Sequence, residues 1–171
     1  MKRIAILGSA GSGKSTLARQ LAEILRIEAI HIDRLFWKPG WVPSDQDELH
    51  AKQAPYLKQE SWIIDGNYSK VWAERLELAD TIIFLNLSRS ICLLSIIKRW
   101  WFHRGRVRED LGEGCPDKID WEFIKYVWDF PKARAKKTMK AVENQSQSSQ
   151  IIIFTNRKQV KHFLNQLNTS T

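Results

Sequence analysis

Residues 3–25 constrain the fold of this chain more than any other segment. A mostly apolar run at positions 3–7 predicts a short buried strand. Positions 8–16 read Gly-Ser-Ala-Gly-Ser-Gly-Lys-Ser-Thr, which fits the pattern G-x-x-x-x-G-K-[ST]. Four apolar residues then recur at the one-sided spacing of an amphipathic helix: Leu17, Leu21, Ile24 and Leu25. A strand, a glycine-rich loop and a helix in this order direct backbone N–H groups and the positive end of a helix at one anion.

This loop therefore predicts a binding site for the phosphates of a nucleoside triphosphate. Its glycines let the backbone fold tightly around phosphate. Lys14 is expected to bridge the outer phosphates, and the Ser15 hydroxyl is expected to hold Mg²⁺. The alternative is a glycine-rich turn in an unrelated sheet protein. We predict ATP and Mg²⁺ as cofactors, with nucleotide contacts from the whole loop: Gly8, Ser9, Ala10, Gly11, Ser12, Gly13, Lys14, Ser15 and Thr16.

Strand and helix patterns alternate along the rest of the chain. Two strand candidates, residues 82–85 and 151–154, are continuously apolar, which is typical of a parallel sheet covered on both faces. We predict an α/β fold, the three-layer P-loop arrangement with about five parallel strands. The strands are predicted over 3–7, 28–32, 62–65, 81–86 and 150–154. The helices are predicted over about 14–25, 45–59, 69–77, 88–102, 119–141 and 157–167.

Length and apolar patterning bear on domain count and location. A chain of 171 residues predicts one domain spanning 1–171. Its start runs straight into the first strand, which leaves no room for a signal peptide. The most apolar stretch, residues 81–102, is interrupted by polar and basic residues, so no membrane span is expected. Cys92 and Cys115 have no paired spacing, which favours reduced thiols. A cytoplasmic protein is predicted.

The formal net charge of +8 is unevenly distributed. Residues 98–140 hold twelve Lys or Arg and seven Asp or Glu, a net charge of +5. A basic surface attracts nucleotides, phosphorylated substrates or nucleic acid, and the charge alone does not distinguish them.

Two carboxylates end predicted strands. In a doubly wound sheet, Asp33 and Asp65 would both emerge at the carboxyl edge beside the phosphate loop. Asp65 is expected to meet Mg²⁺ through water, or else to cap the next helix. Asp33 is expected to orient or deprotonate an acceptor hydroxyl, with Phe36, Trp37 and Trp41 forming the wall of its pocket. The alternative is that these aromatic residues only pack the loop onto the body of the protein.

A basic loop over about residues 103–118 is predicted to form a short lid. Arg104 and Arg106 would stabilise the charge on a transferring phosphoryl group, with Arg99 just upstream. Three glycines in the loop would allow it to open and close. The alternative is a solvated basic loop without a catalytic role.

With these features together, the chain resembles the adenylate-kinase-like branch of P-loop proteins, which includes nucleoside and small-molecule kinases. More narrowly, His-x-Asp with Trp37, Trp-Ile-Ile-Asp-Gly-Asn-Tyr at 62–68 and Arg-Gly-Arg-x-Arg-x-Asp at 104–110 resemble bacterial topology modulation proteins related to FlaR. The resemblance implies that Asp33 contacts Mg²⁺ and the acceptor hydroxyl. It also implies that Asn156 and Arg157 contact adenine and that Arg99 flanks the base or the phosphates.

One departure from adenylate kinases concerns the acceptor. Asn67 and Tyr68 stand where those enzymes carry Phe-Pro-Arg, so the arginine that meets an acceptor phosphate is missing from this motif.

Three functions follow as hypotheses. We expect an ATP-dependent phosphotransferase acting on a small acceptor: a nucleoside, a nucleotide or a hydroxyl-bearing metabolite. The second hypothesis is a nucleotide-dependent regulatory protein that modulates DNA topology, although no helix-turn-helix or other DNA-reading motif is evident. The third is an NTPase whose phosphate acceptor is water.

Overall fold

The computed structural model describes residues 1–103, 114–115, 120–145 and 147–170. Its centre is a parallel five-stranded sheet in the order β2-β5-β1-β6-β7. These strands are β1 (Arg3–Gly8), β2 (Ala29–His31), β5 (Trp62–Asp65), β6 (Thr81–Leu85) and β7 (Gln150–Phe154). A separate antiparallel hairpin pairs β3 (Trp37–Lys38) with β4 (Val42–Pro43).

Helices connect the strands and cover the sheet. They are α1 (Lys14–Leu25), α2 (Ile32–Phe36), α3 (Gln46–Leu57), α4 (Trp72–Leu78), α5 (Arg89–His103), α6 (Trp121–Phe130), α7 (Lys136–Glu143) and α8 (Arg157–Ser170). A π-helical turn, Pro131–Ala135, joins α6 to α7. Within the described ranges, none of these helices is long and apolar enough to cross a membrane.

The sheet is buried on both faces because successive side chains of each strand enter different cores. On one face, Ala5, Leu7 and Phe84 pack with residues of α3, α4 and α7. On the other face, Ile4, Ile6 and other strand residues pack with Leu17 and Leu21 of α1 and Leu164 of α8. Both faces therefore need apolar residues, which explains the continuously apolar β6 and confirms the predicted three-layer parallel fold, whereas Ile153 of the edge strand β7 is 39% exposed.

Most predicted boundaries agree with the structure to within three residues, and two predicted elements differ in the type of backbone. The second strand was expected over 28–32, but β2 ends at His31 and Ile32 begins α2. Ile32 is buried in either arrangement, so the apolar pattern does not separate a strand end from a first helical turn. The helix expected over 119–141 is interrupted by the π-helical turn at Pro131, whose ring nitrogen has no hydrogen to donate within the helix.

The strand register brings the functional ends of the strands to one edge. Gly8 pairs with Leu85, Ile6 with Asp65, and Asp65 with His31. The loop after β1 and the turn after β5 therefore lie side by side at the carboxyl edge. Parallel α/β sheets bind ligands at this edge.

Candidate functional site

The phosphate loop leaves β1 at Gly8 and enters α1 at Lys14. Gly11 has a φ of 74°, and a Cβ built there would lie 2.4 Å from the carbonyl oxygen of Cys92 in α5. The loop therefore packs directly on the backbone of α5. Gly13 (φ 97°) precedes α1, and no side chain caps that helix. The first N–H groups of α1 are thus left for an anion held in the loop.

Lys14 folds back across the phosphate loop. Its Nζ donates a hydrogen bond to the carbonyl oxygen of Ser9 at 3.0 Å, and Ser12 N–H donates to the same oxygen at 3.2 Å. The ammonium group therefore lies above the loop, where it can exchange a backbone oxygen for phosphate oxygens. Ser15 is half-buried in the first turn of α1.

Asp65 lies at the end of β5 in a buried cluster of charges. It is 2% exposed, and its Oδ2 lies 3.2 Å from Nδ1 of His31, in close electrostatic contact. Arg75 of α4 is fully buried, and its Nη2 donates to the carbonyl oxygen of Gly66 at 2.7 Å. Burial lowers the pKa of Arg75 to about 10, while the charge of Asp65 opposes that shift. The guanidinium therefore stays charged at neutral pH.

The donor groups beside the phosphate loop fit Mg²⁺ bound mainly by phosphate and water. No group of three or more His, Cys, Asp or Glu side chains that could hold a metal occurs among the described residues. Mg²⁺ at kinase sites keeps several waters and binds substrate phosphates, so it needs few protein ligands. The Ser15 hydroxyl and Asp65, acting through water, match that requirement in chemical type.

Asp33 lies in the first turn of α2. The sequence predicts it at the end of a strand, but β2 ends two residues earlier, at His31. The Tyr68 hydroxyl donates a hydrogen bond to Asp33 Oδ1 at 2.8 Å. Burial, reinforced by the Asp33 charge, raises the pKa of Tyr68, so its hydroxyl stays protonated and keeps donating. The Asp33 carboxylate is thereby held in one orientation.

A row of aromatic rings runs from Tyr68 to the β3–β4 hairpin. Phe36 packs against Tyr68 with ring centroids 4.5 Å apart and against Trp37 at 4.7 Å, and Trp37 contacts Trp41 at 5.3 Å. All four residues are partly exposed. The row thus packs the loop onto the body of the protein and also leaves ring surface exposed beside Asp33. These residues are therefore compatible both with a wall of the Asp33 pocket and with a packing role alone.

Four residues that the sequence analysis did not assign to the site join this region. Asn67 contacts Gly8 through its carboxamide, and Tyr68 orients Asp33. Burial raises the pKa of Tyr126 of α6, and the charge of Asp33 acts in the same direction. The Arg134 guanidinium lies 4.5 Å from the centre of the Tyr126 ring. The Gly-Asn-Tyr turn after a buried strand offered a signal for the first two, whereas Tyr126 and Arg134 depend on the packing of α6 and carry no local signal.

The residues expected on the nucleoside side occupy different environments. An open cavity of about 760 Å³ between α1 and α8 is lined by Ser12, Gly13, Thr16 and Arg157, among others. The Arg157 guanidinium also donates to the Ser95 hydroxyl of α5. Asn156 Oδ1 accepts the Gln159 N–H at 3.0 Å and so caps α8.

The remaining predicted arginines lie on or beyond α5. Arg99 is on α5, about two turns beyond the Cys92 that touches the phosphate loop. Arg104 and Arg106, with most of the predicted lid, lie outside the described residues.

No protein-family model and no curated protein matches the chain. Solved structures do resemble it. Shikimate kinase from Acinetobacter baumannii, in complex with shikimate, has a TM-score of 0.66 at 15% identity, covering 100% of this chain and 95% of that chain. A gluconokinase from Sinorhizobium meliloti 1021 has a TM-score of 0.55 at 14% identity, covering 98% and 90%.

Deoxyadenosine kinase from M. mycoides has a TM-score of 0.52 at 17% identity, covering 98% of this chain and 99% of that chain. At these identities the likeness concerns fold. The chain has the α/β fold of P-loop kinases, with its phosphate loop at the carboxyl edge of the sheet.

Proposed function

We propose that the chain is an ATP-dependent phosphotransferase that transfers the γ-phosphoryl group to a small acceptor. The observation that carries this proposal is the position of the Asp33 carboxylate. Tyr68 orients it, and the turn that holds Tyr68 is hydrogen-bonded to the phosphate loop at Gly8. A phosphate cradle and an oriented carboxylate at one sheet edge provide a donor subsite and a base for an acceptor hydroxyl.

On the donor side, residues 8–16 bind the phosphates, and Lys14 leaves the Ser9 carbonyl to stabilise the transferring group. Ser15 and, through water, Asp65 would hold Mg²⁺, which neutralises charge on the phosphates when bound. Asn156 and Arg157 are proposed to contact adenine, and Arg99 of α5 is proposed to flank the base or the phosphates. Arg104 and Arg106 are proposed to stabilise the transition state.

On the acceptor side, Asp33 accepts the proton of the acceptor hydroxyl. The acceptor oxygen then forms a bond to the γ-phosphorus, and the bond between that phosphorus and the bridging oxygen breaks, leaving ADP. The aromatic row from Tyr68 to Trp41 forms one wall beside Asp33. Arg134, stacked on Tyr126, is a candidate contact for an anionic group of the acceptor.

The acceptor class remains broad in this proposal: a nucleoside, a nucleotide or a hydroxyl-bearing metabolite. The structural neighbours are a shikimate kinase, a gluconokinase and a deoxyadenosine kinase. Those acceptors differ in size and charge but all carry a hydroxyl group, which is the feature that Asp33 would recognise.

The test is acceptor-dependent ADP release from Mg·ATP in a coupled assay. The acceptor panel holds nucleosides, nucleoside monophosphates, sugar acids and shikimate-like alcohols. Lys14→Ala and Asp33→Asn are expected to abolish the release that depends on acceptor. Mg·ATP binding by Asp33→Asn separates the two roles proposed for Asp33, because weaker binding indicates the Mg²⁺ contact and unchanged binding indicates the acceptor contact alone. Release that no acceptor stimulates, or that survives Lys14→Ala, would contradict the proposal.

A nucleotide-dependent protein that modulates DNA topology is the second candidate. The net charge of +8 and the sequence resemblance to topology modulation proteins favour it. It requires DNA affinity that falls steeply as salt rises, because each phosphate contact releases counterions. Titration of labelled duplex DNA at several salt concentrations tests it, and absent or salt-independent binding would contradict it.

A further inference from the structure

The Asn67 side chain forms a two-point contact with the first residue of the phosphate loop. The Gly8 N–H donates to Asn67 Oδ1 at 3.1 Å, and Asn67 Nδ2 donates to the Gly8 carbonyl oxygen at 2.7 Å. One carboxamide therefore satisfies both backbone polar groups of Gly8. Asn67 and Gly8 are 59 positions apart in the sequence, so the contact joins two separate loops at the sheet edge.

The backbone of Gly8 has little freedom to form other hydrogen bonds. It is buried, its φ is 149°, and a Cβ built on it would lie 2.8 Å from the Leu85 carbonyl oxygen. The residue is thus confined between β6 on one side and Asn67 on the other. Loss of the carboxamide would leave a buried N–H and a buried C=O without their partner.

The turn that presents Asn67 is itself held firmly. Gly66 has a φ of 129°, donates its N–H to the Ile6 carbonyl and accepts a hydrogen bond from Arg75. A Cβ on Gly66 would lie 2.8 Å from Cβ of Ile32. Tyr68 has a φ of 25°, which is costly for a residue with a side chain. The strained turn sends two consecutive side chains in different directions, Asn67 to Gly8 and Tyr68 to Asp33.

We propose that Asn67 is a positioning residue that fixes the phosphate loop in its nucleotide-binding conformation, from the same turn that orients Asp33. Asn67 acts through Gly8 and does not touch the reacting atoms. The inference rests on the proposed function for its biological meaning. The quantity that Asn67 is expected to change is the affinity of the phosphate loop for Mg·nucleotide.

The size of the effect follows from the two hydrogen bonds. Leaving a buried donor or acceptor unsatisfied costs enough to lower the population of the binding conformation by about tenfold to a hundredfold. The apparent dissociation constant rises by the same factor, since affinity is reduced in proportion to the competent fraction. We therefore expect Asn67→Ala to bind Mg·ADP at least about tenfold more weakly.

Isothermal titration with Mg·ADP measures this effect on the full chain. Asn67→Ala and Asn67→Asp are compared with Gln53→Ala, the matched control, which removes another carboxamide that donates to a backbone carbonyl, that of Val71 at 3.1 Å, outside the site. Asn67→Asp keeps the acceptor for Gly8 N–H but loses the donor to Gly8 C=O. We expect both Asn67 variants to bind more weakly, and Gln53→Ala to stay within twofold of wild type. Thermal unfolding identifies a temperature at which every variant is folded.

Two outcomes would overturn the inference: affinity within twofold of wild type in folded Asn67→Ala, or an equal loss in Gln53→Ala. If Asn67→Ala does not fold, Asn67→Asp supplies the decision by the same criterion. Failure of the proposed function has a different signature, because Mg·ADP binding requires no acceptor. A wild-type chain that binds Mg·ADP but phosphorylates nothing would refute phosphotransfer and leave the role of Asn67 intact.

Discussion

Replacing Gly11 by alanine tests the packing of the phosphate loop on α5. An added Cβ would lie 2.4 Å from the Cys92 carbonyl oxygen and 2.8 Å from Cγ1 of Ile96. The first contact is with helix backbone, which cannot rotate away as a side chain does. Cys92 and Ile96 are themselves buried, at 0% and 1% exposure, so α5 cannot withdraw without opening their core.

Two terms set the magnitude for Gly11→Ala. A left-handed conformation costs a residue with a Cβ about 1–2 kcal/mol. Forcing extra volume into a packed region costs a further ~1–3 kcal/mol. Together they predict a loss of about 2–5 kcal/mol in the free energy of unfolding. Gly13→Ala and Gly40→Ala are matched controls. Both glycines have positive φ, at 97° and 76°, but an added Cβ would meet nothing within 4 Å.

The controls should therefore show only the conformational cost of about 1–2 kcal/mol. Urea unfolding followed by tryptophan fluorescence, without nucleotide, measures all three variants on one scale. Gly13 lies in the phosphate loop and Gly40 in the hairpin. Equal losses in the free energy of unfolding of their alanine variants would show that a position in the phosphate loop does not by itself set the cost of an added Cβ. A Gly11→Ala variant as stable as Gly40→Ala would refute the described contact between loop and α5.

Two further predictions concern charged side chains. Arg75→Met should lower the free energy of unfolding by about 1–3 kcal/mol, because it leaves the buried Gly66 carbonyl oxygen without the Arg75 donor at 2.7 Å. Urea unfolding measures this loss, and unchanged stability would show that this buried hydrogen bond does not stabilise the fold. Hydrogen bonds from Lys38 and Lys52 lower the pKa of Glu48 from 4.5 to about 2, so its stabilising effect is complete above 4.5 and disappears as the pH falls toward 2. Glu48→Gln should lower the melting temperature at neutral pH but not near pH 2, and an equal difference at both pH values would contradict this reasoning.

The sequence predicts the framework well because local pattern and global fold agree there. The strand, loop and helix of residues 3–25 are specified by neighbouring residues. The continuously apolar strand at 82–85 is buried on both faces as predicted, whereas the apolar run at 151–154 forms the edge strand β7, where Ile153 is 39% exposed. The end of β2 is different, because burial of Ile30 and Ile32 fits both an extended strand and the start of α2. Apolar alternation specifies burial, and at this position burial alone does not fix backbone conformation.

The contacts of the site are harder to predict than its framework. The topology brings Asp33 and Asp65 to the same sheet edge, which the sequence anticipates from two strand ends. The Asn67 carboxamide meets Gly8 only because β1 and β5 are neighbours in a register that pairs Ile6 with Asp65. Arg134 reaches Tyr126 across the π-helical turn at Pro131. Helical periodicity does not encode either contact.

The turn after β5 also gives a physical meaning to the departure from adenylate kinases. In this chain Asn67 and Tyr68 replace the segment that would carry an arginine for an acceptor phosphate, and both side chains are used internally. Their hydrogen bonds hold the phosphate loop and Asp33, so neither is available to bind an anionic acceptor directly. A cation for such an acceptor must come from another element. Arg134 is exposed, and its guanidinium lies 4.5 Å from the centre of the Tyr126 ring. We therefore expect the negative group of an anionic acceptor to lie toward α6, with its hydroxyl at Asp33.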